Sequence, residues 1–173
     1  LPLDGFVAKS YDAAAFVRQE LGAETPLILD HSLYSWNSAA RDVFLQLAPE
    51  RDTVPLELNR SELFARDNHH SEAMVYGYLP LMTSAQCVHA NTEKCDRKRG
   101  ILYLKDRYGK YFPVKNNCTE CYNTIYNTTP LMLFDERADF LRMGIAAYRI
   151  SFTIEEEEQA AFILDLFERT FLS

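Results

Sequence analysis

Hydrophobic and polar positions in the first half of the chain alternate between strand-like and helix-like segments. Four apolar runs predict strands: GFVAKS, TPLILDHS, TVPLELN and SEAMVYGYLPLM. Three segments with helical spacing lie between them: YDAAAFVRQELG, WNSAARDVFLQLAPE and RSELFARD. We expect the first helix to end at Gly22, the second near Pro49, and the third to be capped by Asn59 or Ser61. Apolar strands separated by helices favour a parallel sheet with right-handed crossovers.

The pattern changes after Cys95. The segment GILYLKDRYGKYFPVKN predicts a β-hairpin that turns near Tyr108-Gly109. Further strands are predicted at TIYN, PLMLFD and AAYRISFT, and a helix closed by Gly144 at ERADFLRMG. The second half is therefore expected to be rich in antiparallel strands.

The C-terminal segment EEEEQAAFILDLFERTFL predicts an amphipathic helix. Its acidic residues fall in the first turn, where the helix dipole favours negative charge, so the glutamates indicate a helix start rather than a metal site. The predicted inward stripe consists of Ala160, Ile163, Leu164, Phe167 and Phe171.

These elements predict an α/β chain in two parts. Residues 1–86 form βα units that resemble half of a TIM-type β/α barrel, and residues 87–173 form a β-rich, cysteine-bearing region with the C-terminal helix. Half a barrel leaves strand edges open. We therefore expect the remainder of the barrel to come from a longer parent chain or from a second copy.

Charge and hydropathy narrow the possible partners. No apolar run approaches the ~20 residues of a membrane-spanning helix, and the opening segment lacks the layout of a signal peptide, so a cytoplasmic location is predicted. The net charge of -7 disfavours a nucleic-acid grip over the whole surface. Basic residues nevertheless gather in KCDRKRG and LKDRYGKYFPVK, which form either a solvated hairpin or a local phosphate-binding patch.

All four cysteines lie in two short groups, Cys87 with Cys95 and Cys118 with Cys121. The second pair is a C-x-x-C, the spacing at which two thiolates meet one metal or form a redox couple. Four thiolates suit a zinc ion or an iron–sulfur cluster, although seven residues between the first pair fit a zinc ribbon poorly. An even cysteine count and three N-x-S/T sequons also allow disulfides, so these alternatives stay open.

Several segments together resemble the collagenase-like U-32 peptidase family, in its PLM-type subgroup. They are EAMVYGYLPLMTSAQC, YLKDRYGKYFPVKNNC, TIYNTTPL and AYRISFTIEE, preceded by ILDHSLYSWNSAA and VPLELNRSEL. The resemblance implies a complete or incomplete TIM-type barrel with a small β appendage. It also implies a 4Fe-4S cluster held by Cys87, Cys95, Cys118 and Cys121. Where the family signature has an earlier cysteine, this chain has Pro80, so His89 or an outside residue is the alternative fourth ligand to Cys121.

The resemblance implies two activities. One is oxygen-independent, iron–sulfur-dependent hydroxylation of an RNA base or a similar aromatic substrate; the other is proteolysis, the family's older label. The tentative rim residues for hydroxylation are Asp30, His31, Asn37, Glu57 and Arg149, each of which could equally make a structural hydrogen bond or ion pair. The basic hairpin would bind RNA.

The residues themselves favour hydroxylation narrowly over hydrolysis. The chain contains neither G-x-S-x-G nor H-E-x-x-H. Asp30, His31 and Ser32 are adjacent along one predicted strand, where neighbouring side chains point to opposite faces and so form no triad. A third hypothesis is a non-catalytic domain stapled by zinc or a cluster.

Overall fold

The computed structural model describes residues 3–92, 97 and 100–172. The chain forms two compact units, each built from two stretches of sequence. The first unit comprises residues 1–75 and 135–149, and the second comprises residues 76–134 and 150–173. The predicted α/β class is confirmed, with a curled parallel half-barrel sheet, a second, antiparallel sheet and a C-terminal helix.

The parallel sheet lies largely in the first unit. Strands β1 (Phe6–Ala8), β2 (Leu27–Leu29), β3 (Arg51–Thr53) and β4 (Ser71–Gly77) pair in that order, and β10 (Ala147–Ser151) lies beyond β4. The first three pairings are parallel, as the sequence predicted. The helices of this unit are α1 (Tyr11–Phe16), α2 (Ser38–Leu45), α3 (Arg60–Ala65) and α5 (Arg137–Arg142).

Helix ends in the first unit follow the predicted signals. Helix α1 continues as a π-helix over Val17–Leu21 and stops at Gly22, whose φ of 95° is the left-handed conformation that glycine adopts readily. The Asn59 side chain accepts hydrogen bonds from the first turn of α3, and Glu62 closes a capping box. An apolar core formed by α1, α2 and the facing strand residues packs around Leu27, Leu29 and Phe44.

Two strand predictions were wrong. The third strand was expected over TVPLELN, but β3 occupies Arg51–Thr53 and ends before Pro55, which lacks the backbone N–H that a ladder requires. The run SEAMVYGYLPLM is divided between two strands in two sheets, β4 and β5 (Pro80–Ser84). At Gly77 a Cβ would lie 2.8 Å from the Ser151 carbonyl oxygen, so the backbone approach there requires glycine.

The second unit contains the antiparallel sheet, in the order β5, β8 (Tyr122–Tyr126), β7 (Tyr111–Asn117) and β6 (Ile101–Lys105). Strands β6 and β7 form the predicted hairpin. Short strand β9 (Leu131–Met132) pairs with the end of β4. Two helices complete the unit, α4 (Val88–Thr92) and α6 (Glu157–Phe167), the latter continuing as a π-helix over Glu168–Leu172.

Helix α6 confirms most of its predicted stripe. Ile163 and Phe171 are buried, and the Phe167 and Phe171 rings pack against Phe134. Leu164 was assigned to the stripe wrongly, since its side chain is 50% exposed. Among the described residues, no helix combines the length and apolar character needed to span a membrane.

Candidate cysteine-lined site

The C-x-x-C is the turn of the hairpin formed by β7 and β8. Strand β7 ends at Asn117, strand β8 begins at Tyr122, and residues 118–121 make the turn. Cys121 has a left-handed φ of 56°, and its Sγ lies 3.8 Å from the Cys118 carbonyl oxygen. The turn therefore places both thiols at one end of the antiparallel sheet.

Cys87 reaches the same end of the sheet from β5. Strand β5 runs antiparallel to β8, so its last residue, Ser84, pairs with Asn123 near the start of β8. The Asn123 side chain donates a hydrogen bond of 2.7 Å to the carbonyl oxygen of Gln86, the residue before Cys87. The ladder and this bond bring Cys87 towards the turn.

A cavity of about 340 Å³ lies at this end of the second unit, and Cys87, Cys118 and Cys121 all line it. Cys87 and Cys118 are half-buried, and Cys121 is exposed. The polar lining of the cavity includes Asn116, Asn123 and Arg97. The structure thus gathers, around one cavity, the three predicted cysteine ligands that it describes.

The fourth predicted ligand, Cys95, lies outside the described residues. Ala90, five residues before it, and Arg97, two residues after it, line the cavity. His89, the alternative ligand, belongs to α4. Within residues 3–92, 97 and 100–172, no three His, Cys, Asp or Glu side chains form a group that could hold a metal ion.

Two amides in the cavity wall lack hydrogen-bond partners for their oxygens. Asn116 is 5% exposed and Asn123 is fully buried, and the Oδ1 atom of each has no partner among the described residues. Asn116 and Asn123 pair across β7 and β8, so the two side chains project from the same face of the sheet. Buried polar atoms are nearly always paired in folded proteins, so these two oxygens are available to accept a hydrogen bond from water or from another group in the cavity.

In the first unit, the structure brings together three of the predicted rim residues. Arg149 Nη1 lies 2.6 Å from Asp30 Oδ1, and Arg149 also pairs with Glu72. His31 Nε2 is 3.6 Å from Asp30 Oδ2. Asp30 follows β2 directly, one residue after Leu29, which pairs with Asp52. The same register puts Asp30 beside Thr53, which in turn pairs with Glu72, so the three side chains share a sheet face.

The charges around Asp30 favour its ionised form. Burial alone raises the pKa of the Asp30 carboxyl, but the neighbouring His31 and the Arg149 guanidinium, together with the Ser32 hydroxyl, lower that pKa below its usual 3.8. The Arg149 guanidinium therefore lies between the carboxylates of Asp30 and Glu72. The Arg149 side chain is 19% exposed, so the network is charged and largely buried.

The other two predicted rim residues have different surroundings. Asn37 caps α2, accepting a hydrogen bond of 2.9 Å from the Ala40 backbone N–H. Glu57 is exposed, in the loop after β3. The structure thus assigns Asn37 a helix-capping contact and leaves Glu57 outside the Asp30–Arg149 network.

Sequence reasoning missed Glu72, Asn116 and Asn123. The sequence signal for Glu72 was weak: it is a charged residue inside the apolar run that forms β4. A carboxylate buried there requires a cationic partner. Asn116 and Asn123 flank the C-x-x-C within strand segments, positions at which a strand pattern favours apolar or β-branched residues.

Two Asp–His pairs lie near strand ends, Asp30 with His31 and Asp67 with His69, and neither is arranged to activate a serine. The Ser32 hydroxyl lies 2.9 Å from the Lys9 carbonyl oxygen and 3.1 Å from Asp30 Oδ2. His69 lies 2.8 Å from Asp67, but that pair is exposed, with side-chain exposures of 79% and 64%. Within the described residues, these contacts give hydrolysis no assembled nucleophile and base.

The basic hairpin exposes aromatic rings beside its cations. Tyr103, Tyr108 and Tyr111 are 62%, 73% and 54% exposed. The Lys105 ammonium lies 5.3 Å from the centre of the Tyr111 ring, and the Arg107 guanidinium lies 4.7 Å from that of Tyr108. Exposed rings next to cations are the combination on which unpaired bases stack.

Comparison with known proteins returns nothing for this chain. No family model matches it, and neither a curated protein nor a solved structure matches it. The resemblance to the collagenase-like U-32 peptidase family therefore stays a prediction from sequence segments.

Proposed function

We propose that this chain is part of a U-32-type protein with a TIM-type half-barrel, and that it uses an iron–sulfur cluster to hydroxylate an RNA base or a similar aromatic substrate without oxygen. The observation that carries the proposal is the meeting of Cys87, Cys118 and Cys121 at one cavity. Cys95 is proposed as the fourth ligand, from the resemblance.

The residues around the cavity fit such a cluster. Iron–sulfur clusters are held by cysteine thiolates, and Cys87, Cys118 and Cys121 would hold the cluster here. The group is anionic when bound by four thiolates, and the Arg97 cation lines the same cavity. The buried Asn116 amide lines the same cavity and, depending on the rotation of its terminal amide, would present an N–H group to a sulfur atom.

The cluster would supply electron transfer, and the chain's own residues would bind the substrates. Asp30, His31 and Arg149 of the first unit are proposed to hold a small hydroxyl donor, which is reduced as the base is oxidised. Arg149 would orient a carboxylate or hydroxyl on that donor, as guanidinium forks do. The remaining barrel strands would come from the parent chain or a second copy.

RNA is proposed to bind the hairpin formed by β6 and β7. Replacement of both Lys105 and Lys110 by alanine should weaken binding of a single-stranded RNA oligonucleotide and flatten the dependence of affinity on salt, since each cation lost removes a phosphate contact. Fluorescence anisotropy across a salt series measures both. A salt slope equal to that of the unaltered protein would remove the hairpin from the proposed RNA interface.

Metal analysis tests the proposed chemistry. After oxygen-free purification and supply of ferrous iron and sulfide, we expect a brown protein that carries iron and sulfide in equal amounts and little zinc. Cys87→Ser and Cys121→Ser should lose most of the iron while keeping their far-ultraviolet circular dichroism. Glu120→Ala, a change inside the same turn that removes no thiol, is the matched control and should keep the iron.

Two outcomes would reverse the proposal. A colourless, zinc-bearing protein that cleaves gelatin would favour proteolysis. A Cys87→Ser variant that unfolds together with losing its metal would favour a structural staple, because a redox role predicts a folded protein without its cluster.

A further inference from the structure

Asn116 and Asn123 form a pair of buried amides in the wall of the cysteine cavity. They lie side by side on β7 and β8, both more than nine-tenths buried, and both Oδ1 atoms lack a partner among the described residues. Leaving one buried amide group unpaired costs about 1–3 kcal/mol. Both side chains line the cavity that also contains the three thiols. The position of the two amides therefore points to an occupant that they contact.

Asn123 also ties Cys87 to the turn. Its Nδ2 donates to the Gln86 carbonyl oxygen at 2.7 Å and, more weakly, to the Ser84 carbonyl oxygen at 3.4 Å. Gln86 precedes Cys87, while Asn123 lies two residues after Cys121. The fully buried Asn123 side chain thus fixes the backbone next to Cys87 to β8, the strand that begins directly after Cys121.

Asn116 has the chemistry to contact the occupant directly. Thiolate and sulfide sulfurs accept hydrogen bonds and donate none, so an amide beside them is best placed with its N–H group towards the sulfur. A half turn of the terminal amide exchanges its oxygen and nitrogen within nearly the same volume. Hydrogen bonds to sulfur favour the more negative, reduced state of an iron–sulfur cluster and raise its reduction potential.

We infer that Asn116 and Asn123 control the group held in the cysteine cavity, Asn123 by positioning Cys87 and Asn116 by donating a hydrogen bond to a sulfur atom. The inference rests on the iron–sulfur cluster of the proposed function and adds residues that no cysteine motif contains. Asn123 is a positioning residue, and Asn116 sets the redox potential.

The test uses the full chain loaded with ferrous iron and sulfide under nitrogen. In Asn116→Leu, which has nearly the same shape and no donor, iron and sulfide content should equal that of the unaltered protein. Its midpoint potential should fall, so that at the original midpoint the ratio of oxidised to reduced cluster rises about tenfold, or ~59 mV for one electron. Asn116→Thr retains a donor and should recover part of this shift.

Asn123→Leu should lose iron to a chelator about tenfold faster, because residues that orient metal ligands contribute roughly ten- to a hundredfold to affinity. Thr124→Val is the matched control. It removes one hydroxyl from the adjacent residue of β8, which points to the opposite face, and should change neither the potential nor the rate of iron loss. If Asn123→Leu does not fold, Asn123→Ser removes the same bond to Gln86 with a smaller side chain.

The outcomes separate this inference from the proposed function. The inference is wrong if loaded Asn116→Leu has the midpoint potential of the unaltered protein, as Thr124→Val should. It is also wrong if a folded Asn123 variant retains iron as long as the unaltered protein. Either result leaves the proposed cluster in place. Failure of the unaltered protein to take up iron and sulfide overturns both.

Discussion

The two units handle buried polar groups in opposite ways. In the first unit, Asp52 is enclosed by Arg66, Ser35 and Ser71, and Arg149 joins Asp30 to Glu72, so buried charges pair with one another. In the second unit, two buried amides and three thiols face one cavity, and both amide oxygens lack partners among the described residues. The buried charges of the first unit therefore have partners within the chain, whereas the cavity wall of the second unit leaves two amide oxygens without one.

The largest effect that we predict is the loss of stability when the buried ion pair of Asp52 with Arg66 in the first unit is broken. Asp52→Ala leaves the buried Arg66 guanidinium without its carboxylate and should destabilise this unit by about 3–5 kcal/mol. Trp36, the single tryptophan, lies in the first unit, so its fluorescence during urea unfolding reports the loss.

Asp67→Ala is the control for this change. Asp67 is 64% exposed and pairs with Arg41 at 3.8 Å, so its removal should cost less than about 1 kcal/mol. Equal losses in the two variants would contradict the assignment of Asp52 as the centre of a buried network.

The next effect concerns the packing of α6 in the second unit. Ile163→Ala removes a buried side chain and should cost about 3 kcal/mol, whereas Leu164→Ala, at a position 50% exposed, should cost about 0.5 kcal/mol. Amide hydrogen exchange in β7 and β8 measures the stability of this unit. The reverse order would restore Leu164 to the inward stripe that the sequence predicted.

Removing an unpaired amide should stabilise the cluster-free protein. Asn116→Leu replaces a buried group without a partner by an apolar side chain of similar shape, and should raise the stability of the second unit by about 1 kcal/mol. The same hydrogen-exchange measurement on metal-free protein tests this. A loss of stability would mean that Asn116 serves the fold, and would weaken the contrast between the units.

The smallest effect is a pH dependence of the first unit. Because the folded protein lowers the pKa of Asp30 below 3.8, its ionised form contributes stability above that pH, and the contribution disappears as the pH falls through the lower, folded value. The stability advantage of the unaltered protein over Asp30→Asn should therefore shrink below pH 3.8. Trp36 fluorescence in a urea and pH series measures it, and an advantage that persists in strong acid would contradict the ion pair with Arg149.

The elements that the sequence predicted best are those set by local chemistry. Alternating side chains around Tyr108-Gly109 gave the hairpin of β6 and β7, and Asn59 capped α3 as expected. Strand β3 was misplaced because Arg51–Thr53 is a polar segment, and the partner of its buried Asp52 is Arg66, fourteen positions further along the chain. A polar strand of this kind has no hydrophobic pattern to reveal it.

The candidate site divides in the same way. The C-x-x-C spacing predicted two thiols close to each other, and the chain direction of β5 brings Cys87 to them. Glu72 and Asn123 were not predicted, because their roles come from contacts with Arg149 and Gln86, distant in sequence. Spacing rules find ligands that are neighbours along the chain, but not the side chains that hold those ligands in place.

The convergence of the thiols is tested most directly by alkylation of the loaded protein. Iodoacetamide is added under reducing, oxygen-free conditions with and without bound iron and sulfide, and the modified cysteines are identified by mass spectrometry. We expect Cys87, Cys118 and Cys121 to react in the metal-free protein and to become protected together when the cluster is bound. If any of the three stays reactive beside bound iron, or if two are joined as a disulfide under these conditions, they do not hold a single group.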